Sequence, residues 1–160
     1  MKYFLQVLIL FLLLSCDSSR LYEKNISINN TVWEISNKPS FEYKNTHTDK
    51  KVNLKINVRH SSSYQYSNLW LFVNIIDPVG ELKRDTMECI LAQKNGKWLG
   101  HGLTDIRDVQ CQFKNYTLSK RGTYTFVIEQ AMRHGDLAKI EKLNGIMEIG
   151  LRIEKMNFNE

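Results

Sequence analysis

The residue with the most definite chemistry in this chain is a cysteine near its start. Residues 8–20 read "LILFLLLSCDSSR", and Cys16 follows Leu13, Leu14 and Ser15 directly. An apolar run over residues 3–14, interrupted only by Gln6, precedes it. Spanning a bilayer takes about 20 apolar residues, so the run is too short to serve as a membrane helix. With Lys2 before it and a small residue after it, the run has the layout of a secretory signal peptide. A leucine at −3, a serine at −1 and then cysteine look like a bacterial lipobox. The chemistry there is thioether formation: the thiol takes a diacylglycerol, cleavage frees the amine of Cys16, and that amine accepts a further acyl chain. Each buried CH₂ adds about 0.8 kcal/mol, so one chain holds a protein only marginally and two or three hold it durably. The bulky Leu14 at −2 departs from the commonest pattern. Asp17 retains lipoproteins in the inner membrane of some bacteria but not of all lineages, so it does not decide the membrane.

A second stretch could carry reaction chemistry. Residues 96–108 read "GKWLGHGLTDIRD", with His101 as a candidate base and Asp105 and Asp108 as a carboxylate pair. A hydrolase would need these groups gathered in one concave pocket. The plainer reading is a glycine-shaped loop whose aspartates make turns and whose Trp98 packs on the domain. As a partner-contact surface the loop is the stronger candidate, with Lys97, Trp98, His101, Asp105, Arg107 and Asp108 as its contact residues, because loops on a rigid scaffold commonly carry recognition. Ser61, Ser62 and Ser63 follow His60 but read as a loop between strands. A serine nucleophile needs a base, an orienting acid and an oxyanion hole. His47, His60, His101 and His134 make no metal-ligand spacing, so no catalytic residue, metal or cofactor is expected. A glycan-binding alternative rests on exposed rings, with Trp98, Tyr64 and Tyr66 as the stacking platform and Trp70 as core.

With Cys16 committed to lipid, Cys89 and Cys111 remain in a compartment that permits disulfides. Strand alternation sets Cys89 with Met87 and Leu91, and Cys111 with Val109 and Phe113. Both point inward, either as a disulfide or as two buried thiols. The formal charge of +5 loses only Lys2 with the signal. The basic residues are dispersed rather than gathered on one face, which argues against nucleic acid as a partner. They read as a solvated surface or, more sharply, as contacts to lipid phosphates or an acidic partner. No small-molecule substrate is expected.

These residues must be positioned by strands. Period-2 alternation recurs, most clearly over residues 52–59, where Val52, Leu54, Ile56 and Val58 share one face. Residues 69–76 are apolar on both faces and predict a central strand, ended by a turn at Asp77, Pro78, Val79 and Gly80. Residues 84–92 return as its hairpin partner, and Asn95-Gly96 suits a second turn. Residues 22–28, 41–43, 123–130 and 147–153 supply further strands. Only residues 136–143 read as helix, with Asp136 as N-cap and Leu137, Ile140 and Leu143 on its apolar side. The organisation is a signal peptide over residues 1–15, a lipidated tether over 16–20 and one domain of usual size over 21–157. The fold class is all-β, an antiparallel β-sandwich of jelly-roll or immunoglobulin-like topology with one short helix.

Three blocks carry a family resemblance: residues 68–108, residues 122–134 ("GTYTFVIEQAMRH") and residues 145–155 ("GIMEIGLRIEK"). In this order, behind the lipobox, they resemble the gliding motility lipoprotein GldH family. The resemblance implies a small, non-enzymatic envelope lipoprotein, held at the outer membrane on its periplasmic side. It also implies protein partners in the gliding and type IX secretion machinery. The lipidated cysteine, matching Cys16, is the one family residue that carries over.

Overall fold

The computed structural model describes residues 18–156 apart from Leu137. Cys16 and the signal peptide lie outside them. Ten strands follow in chain order: β1 (Arg20–Ser27), β2 (Val32–Glu34), β3 (Ser40–Asn45), β4 (Lys50–Ser61), β5 (Asn68–Ile76), β6 (Leu82–Ile90), β7 (Ile106–Leu118), β8 (Gly122–Gln130), β9 (Lys142–Asn144) and β10 (Ile146–Lys155). They form one sheet ordered β1-β10-β4-β7, a second ordered β3-β8-β5-β6, and a short ribbon of β2 with β9. Every strand pairing is antiparallel. The inward residues of both four-stranded sheets form one hydrophobic core.

Alternation decides which residues enter that core. Val52, Leu54, Ile56 and Val58 are fully buried from β4, as their spacing requires. Ile149, Leu151 and Ile153 face them from β10, while a bulge between Ile146 and Glu148 puts Ile146 rather than Met147 in the core. The turn after β5 forms as its residues dictate: the Asp77 carboxylate accepts from the amides of Val79 and Glu81, both at 2.9 Å. Trp33 is the fully enclosed tryptophan, and its indole N–H donates to the Asn37 carbonyl at 2.8 Å.

Two expectations are corrected. Trp70 is 39% exposed, not core. β5 is central, but only its Leu69, Leu71, Val73 and Ile75 face meets the other sheet. Its outer face is covered piecemeal, for instance by the Arg84 guanidinium 4.1 Å above the Phe72 ring. The helix expected over residues 136–143 is absent among its described residues, and β9 occupies the end of that segment. Tertiary partners take the backbone groups a helix would have used. The Ile140 amide donates to the Met132 carbonyl, and the Gln130 side chain donates to the Ile140 carbonyl. Leu143 pairs with Trp33 across the ribbon and is buried there.

The two ends of the sandwich differ in role. Arg20 pairs with Glu154, Lys155 with Val52, and Lys50 with Leu118, so the start of β1 and the end of β7 share one end. Ser61 pairs with Ile106 at the other end, which therefore carries the loop leading into β7.

Candidate functional site

The loop between β6 and β7 is folded onto the sandwich by its backbone. Ala92 and Trp98 bridge across a turn in which the Lys97 amide donates to the Asn95 side chain at 3.1 Å. His101 and Asp108 then exchange both backbone bonds, at 3.0 and 2.7 Å, laying the loop along the free edge of β7. Gly100 makes this possible. Its φ is +80°, and a Cβ there would lie 2.1 Å from the Asp108 carbonyl oxygen. Beyond it the tip is open, with Leu103 85% exposed.

Three polar side chains here, those of Asp105, Arg107 and Asp108, are held in structural contacts. Arg59 grips the Asp108 carboxylate through two bonds of 2.7 and 3.2 Å and reaches Glu148 at 3.1 Å. Asp105 accepts from the Ser62 hydroxyl at 3.3 Å. Arg107 donates to the carbonyls of Thr104 and Ile106. His101 and Asp108 line a common cleft, but Asp105 does not, so the trio needed for a hydrolase is not brought together. Lys97, Trp98, His101 and Asp105 belong to the connection between β6 and β7, and Arg107 and Asp108 to the first residues of β7.

The aromatic platform expected for a glycan is only partly presented to solvent, Trp98 and Tyr66 being half-buried against the core. Tyr64 is buried, and its hydroxyl donates to the Asn68 carbonyl at 3.0 Å. Tyr66 packs against Tyr64 and His134, while Trp98 packs against His60 with ring centres 4.7 Å apart. The rings form a continuous packed file under the loop rather than an exposed shelf.

His60, at the middle of that file, was not singled out by sequence spacing. It is fully buried; Nδ1 donates to the Ser61 carbonyl at 3.0 Å, and Nε2 has no hydrogen-bond partner. Burial holds its pKa below the ordinary histidine value. The unfolded chain therefore takes up a proton first as pH falls. Stability from this site is full above about pH 6.5 and declines as pH drops through that value towards the folded one. Chemical denaturation followed between about pH 7.5 and about pH 5.5 should show this loss, and a His60→Phe variant should lack it.

A cleft of about 710 Å³ runs over the outer face of the first sheet and past the edge of β7 to Glu88 and Ile90 of β6. Asn25, Asn57 and Gln110 form a row there: Gln110 donates to Asn57 at 3.0 Å, and Asn57 donates to Asn25 at 3.3 Å and to Glu23 at 3.0 Å. Gly150 lies between Asn25 and Asn57 in the register, and a Cβ there would meet the Asn25 amide oxygen at 1.8 Å. A glycine in mid-strand, flanked by strands with outward Asn, was the available sequence signal. Beside the row, burial would raise the Glu23 and Glu154 carboxyls, but hydrogen bonds from neighbours including Arg152 outweigh it and hold both low. Among the described residues no group of three His, Cys, Asp or Glu side chains is arranged to hold a metal ion.

Cys89 and Cys111 are both thiols and both buried. They come from β6 and β7, edge strands of opposite sheets, and the Cys111 thiol lies beside that of Cys89 across the core. That contact, with burial second, pushes the Cys89 thiol up. Lys114 of β7 pairs with Asp85 of β6 alongside.

Known proteins resemble this chain over most of its length. The family model described as GldH lipoprotein matches residues 20–153. A gliding motility lipoprotein GldH homolog of Christiangramia forsetii is 37% identical over 154 residues, covering 95% of this chain and 94% of the relative. The gliding motility lipoprotein GldH of Flavobacterium johnsoniae is 34% identical over 145 residues, covering 90% of each. Among solved structures, a family GH115 4-O-methyl-alpha-glucuronidase is similar to 89% of this chain over 18% of its own, with 13% identity and a TM-score of 0.41. With a family match spanning every strand but the end of β10, and relatives alike over 94% and 90% of their length, the chain belongs to the GldH lipoprotein family.

Proposed function

We propose that this protein is a lipid-anchored, non-enzymatic accessory of the gliding and type IX secretion machinery, held at the outer membrane and facing the periplasm. The observation that carries the reading is the unbroken family likeness over residues 20–153, directly behind a lipidation signal at Cys16. The names of the relatives supply gliding motility. The resemblance of the sequence blocks to the family supports the secretion role and the outer membrane.

The geometry adds a physical role for the anchor. Confining a domain to a thin layer raises its effective concentration for membrane-bound partners, by up to about 10²–10⁴ in avidity, without any new contact. The loop lies at the end of the sandwich opposite the start of β1. It therefore reaches away from the anchoring membrane. Deleting the gene should stop surface gliding in a gliding bearer and leave type IX cargo undelivered; normal gliding with normal secretion refutes the reading.

Export also exposes Cys89 and Cys111 to disulfide exchange with an oxidised thiol partner, which would join the two edge strands and close the base of the loop. Peptide mapping of protein taken from cells under acid quench and alkylation should recover a peptide linked through both cysteines. Recovery of two alkylated cysteines instead refutes the bridge.

A further inference from the structure

We infer that the end of the sandwich at which β1 begins is a lipid-contact face, lying on the anionic headgroups of the membrane that holds Cys16. This inference rests on the lipidation of Cys16. Only three residues, Asp17, Ser18 and Ser19, lie between that cysteine and Arg20, the first residue of β1. A chain advances at most about 3.3–3.6 Å per residue, so over four steps the Arg20 Cα stays within about 14 Å of the Cys16 Cα. The tether thus keeps this end of the domain within reach of the headgroup layer.

The fold gathers the β3–β4, β5–β6 and β7–β8 connections at this end, together with the residues that flank the start of β1 and the end of β10. The Lys155 amide donates to the Ser19 carbonyl, and the Met156 amide to the Lys51 carbonyl. The Asn45 side chain donates to the carbonyls of His47 and Lys120, tying the β3–β4 and β7–β8 connections together. Lys120 pairs with both Asp77 and Glu81, drawing in the β5–β6 turn. That pairing leaves Asp77 and Glu81 facing a cation of their own. At the same end stand Lys50 at the start of β4, Lys155 at the end of β10 and Arg121 in the β7–β8 connection, with Asp49 next to Lys50 in the chain and the Glu154 carboxylate turned to Lys55 and Arg152. The Val79 side chain crowns the turn at 72% exposure. Basic residues on flexible stems around one exposed aliphatic group suit an anionic lipid surface: the cations meet phosphates and the aliphatic tip enters the interface. The dispersal of lysines in the sequence hid this, because the three connections come from distant segments.

The test uses the lipidated full-length protein in vesicles of neutral phosphatidylcholine, with or without phosphatidylglycerol. Val79→Cys and Leu103→Cys proteins carry a fluorophore read by a headgroup-level quencher, and flotation first establishes anchorage. Quenching at position 79 should be several-fold that at position 103 in anionic vesicles. It should fall with neutral lipid, with high salt and with the pair Lys50→Glu and Arg121→Glu, because these contacts are screened within a Debye length. Equal quenching at both positions, or quenching at position 79 indifferent to lipid charge and to charge reversal, overturns the inference. Failure to float overturns the anchor and this inference with it, whereas floating without the signal at position 79 overturns this inference alone.

Discussion

Replacing Cys16 with alanine should abolish the protein's activity in the envelope while leaving its domain folded. The thiol is the only atom in the signal region able to form the thioether, so the variant acquires no diacylglycerol. Cleavage of the lipobox depends on that modification, and the chain keeps its signal. The remaining apolar run, residues 3–14, is well short of the roughly 20 residues that span a bilayer. Two or three acyl chains are thereby exchanged for a short apolar stub, and the enrichment of about 10²–10⁴ from confinement is lost. Metabolic labelling with an alkyne fatty acid followed by detergent phase partitioning checks this. The parent should label and enter the detergent phase; the variant should not label. Gliding and secretion should fail to the same extent as in a deletion strain. Full activity without label would show that the anchor is dispensable.

A second large effect is expected at Gly100. Replacing it with alanine places a methyl group 2.1 Å from the Asp108 carbonyl oxygen and 2.9 Å from Val109 Cγ2, at a φ of +80°. Neither neighbour can swing aside, since one is backbone paired with His101 and the other is part of β7. The loop must lift, breaking the two His101–Asp108 backbone bonds. Strained φ and the lost bonds together cost about 2–3 kcal/mol locally. Gly96→Ala is the matched comparison: its φ is +82°, but nothing lies within 4 Å of the added Cβ. Hydrogen exchange should show the amides of His101 and Asp108 deprotected in Gly100→Ala and unchanged in Gly96→Ala. Partner capture should fall in the first variant alone. Equal protection in both variants would show that the loop does not depend on this contact.

Much of the fold was legible because alternation is a direct imprint of a two-layer core. Val52, Leu54, Ile56 and Val58 had to share a face, and Cys89 and Cys111 had to point inward. What failed was set by tertiary partners. A helix over residues 136–143 had the right spacing, yet Gln130 and Met132 claimed the backbone of Ile140 and Trp33 claimed Leu143. Trp70 looked like core because sequence does not tell which face of a central strand another layer will cover. The site was legible in part. The glycines marked a shaped loop, but the capture of Asp108 by Arg59, of Asp105 by Ser62 and of Trp98 by His60 joins residues distant in the chain. The basic end face is hidden for the same reason.

The central claim is that the anchored domain engages the motility and secretion apparatus through its membrane-distal loop. Site-specific photocrosslinking in intact cells tests it most directly. The probe replaces Leu103 at the loop tip or, as a control, exposed Glu42 on β3 of the other sheet. Captured proteins are identified by mass spectrometry. The account predicts gliding and type IX secretion proteins captured from position 103 and not from position 42, with the position 103 yield lost in the Cys16→Ala background. Capture of no such protein from position 103, or equal capture from both positions, would contradict it.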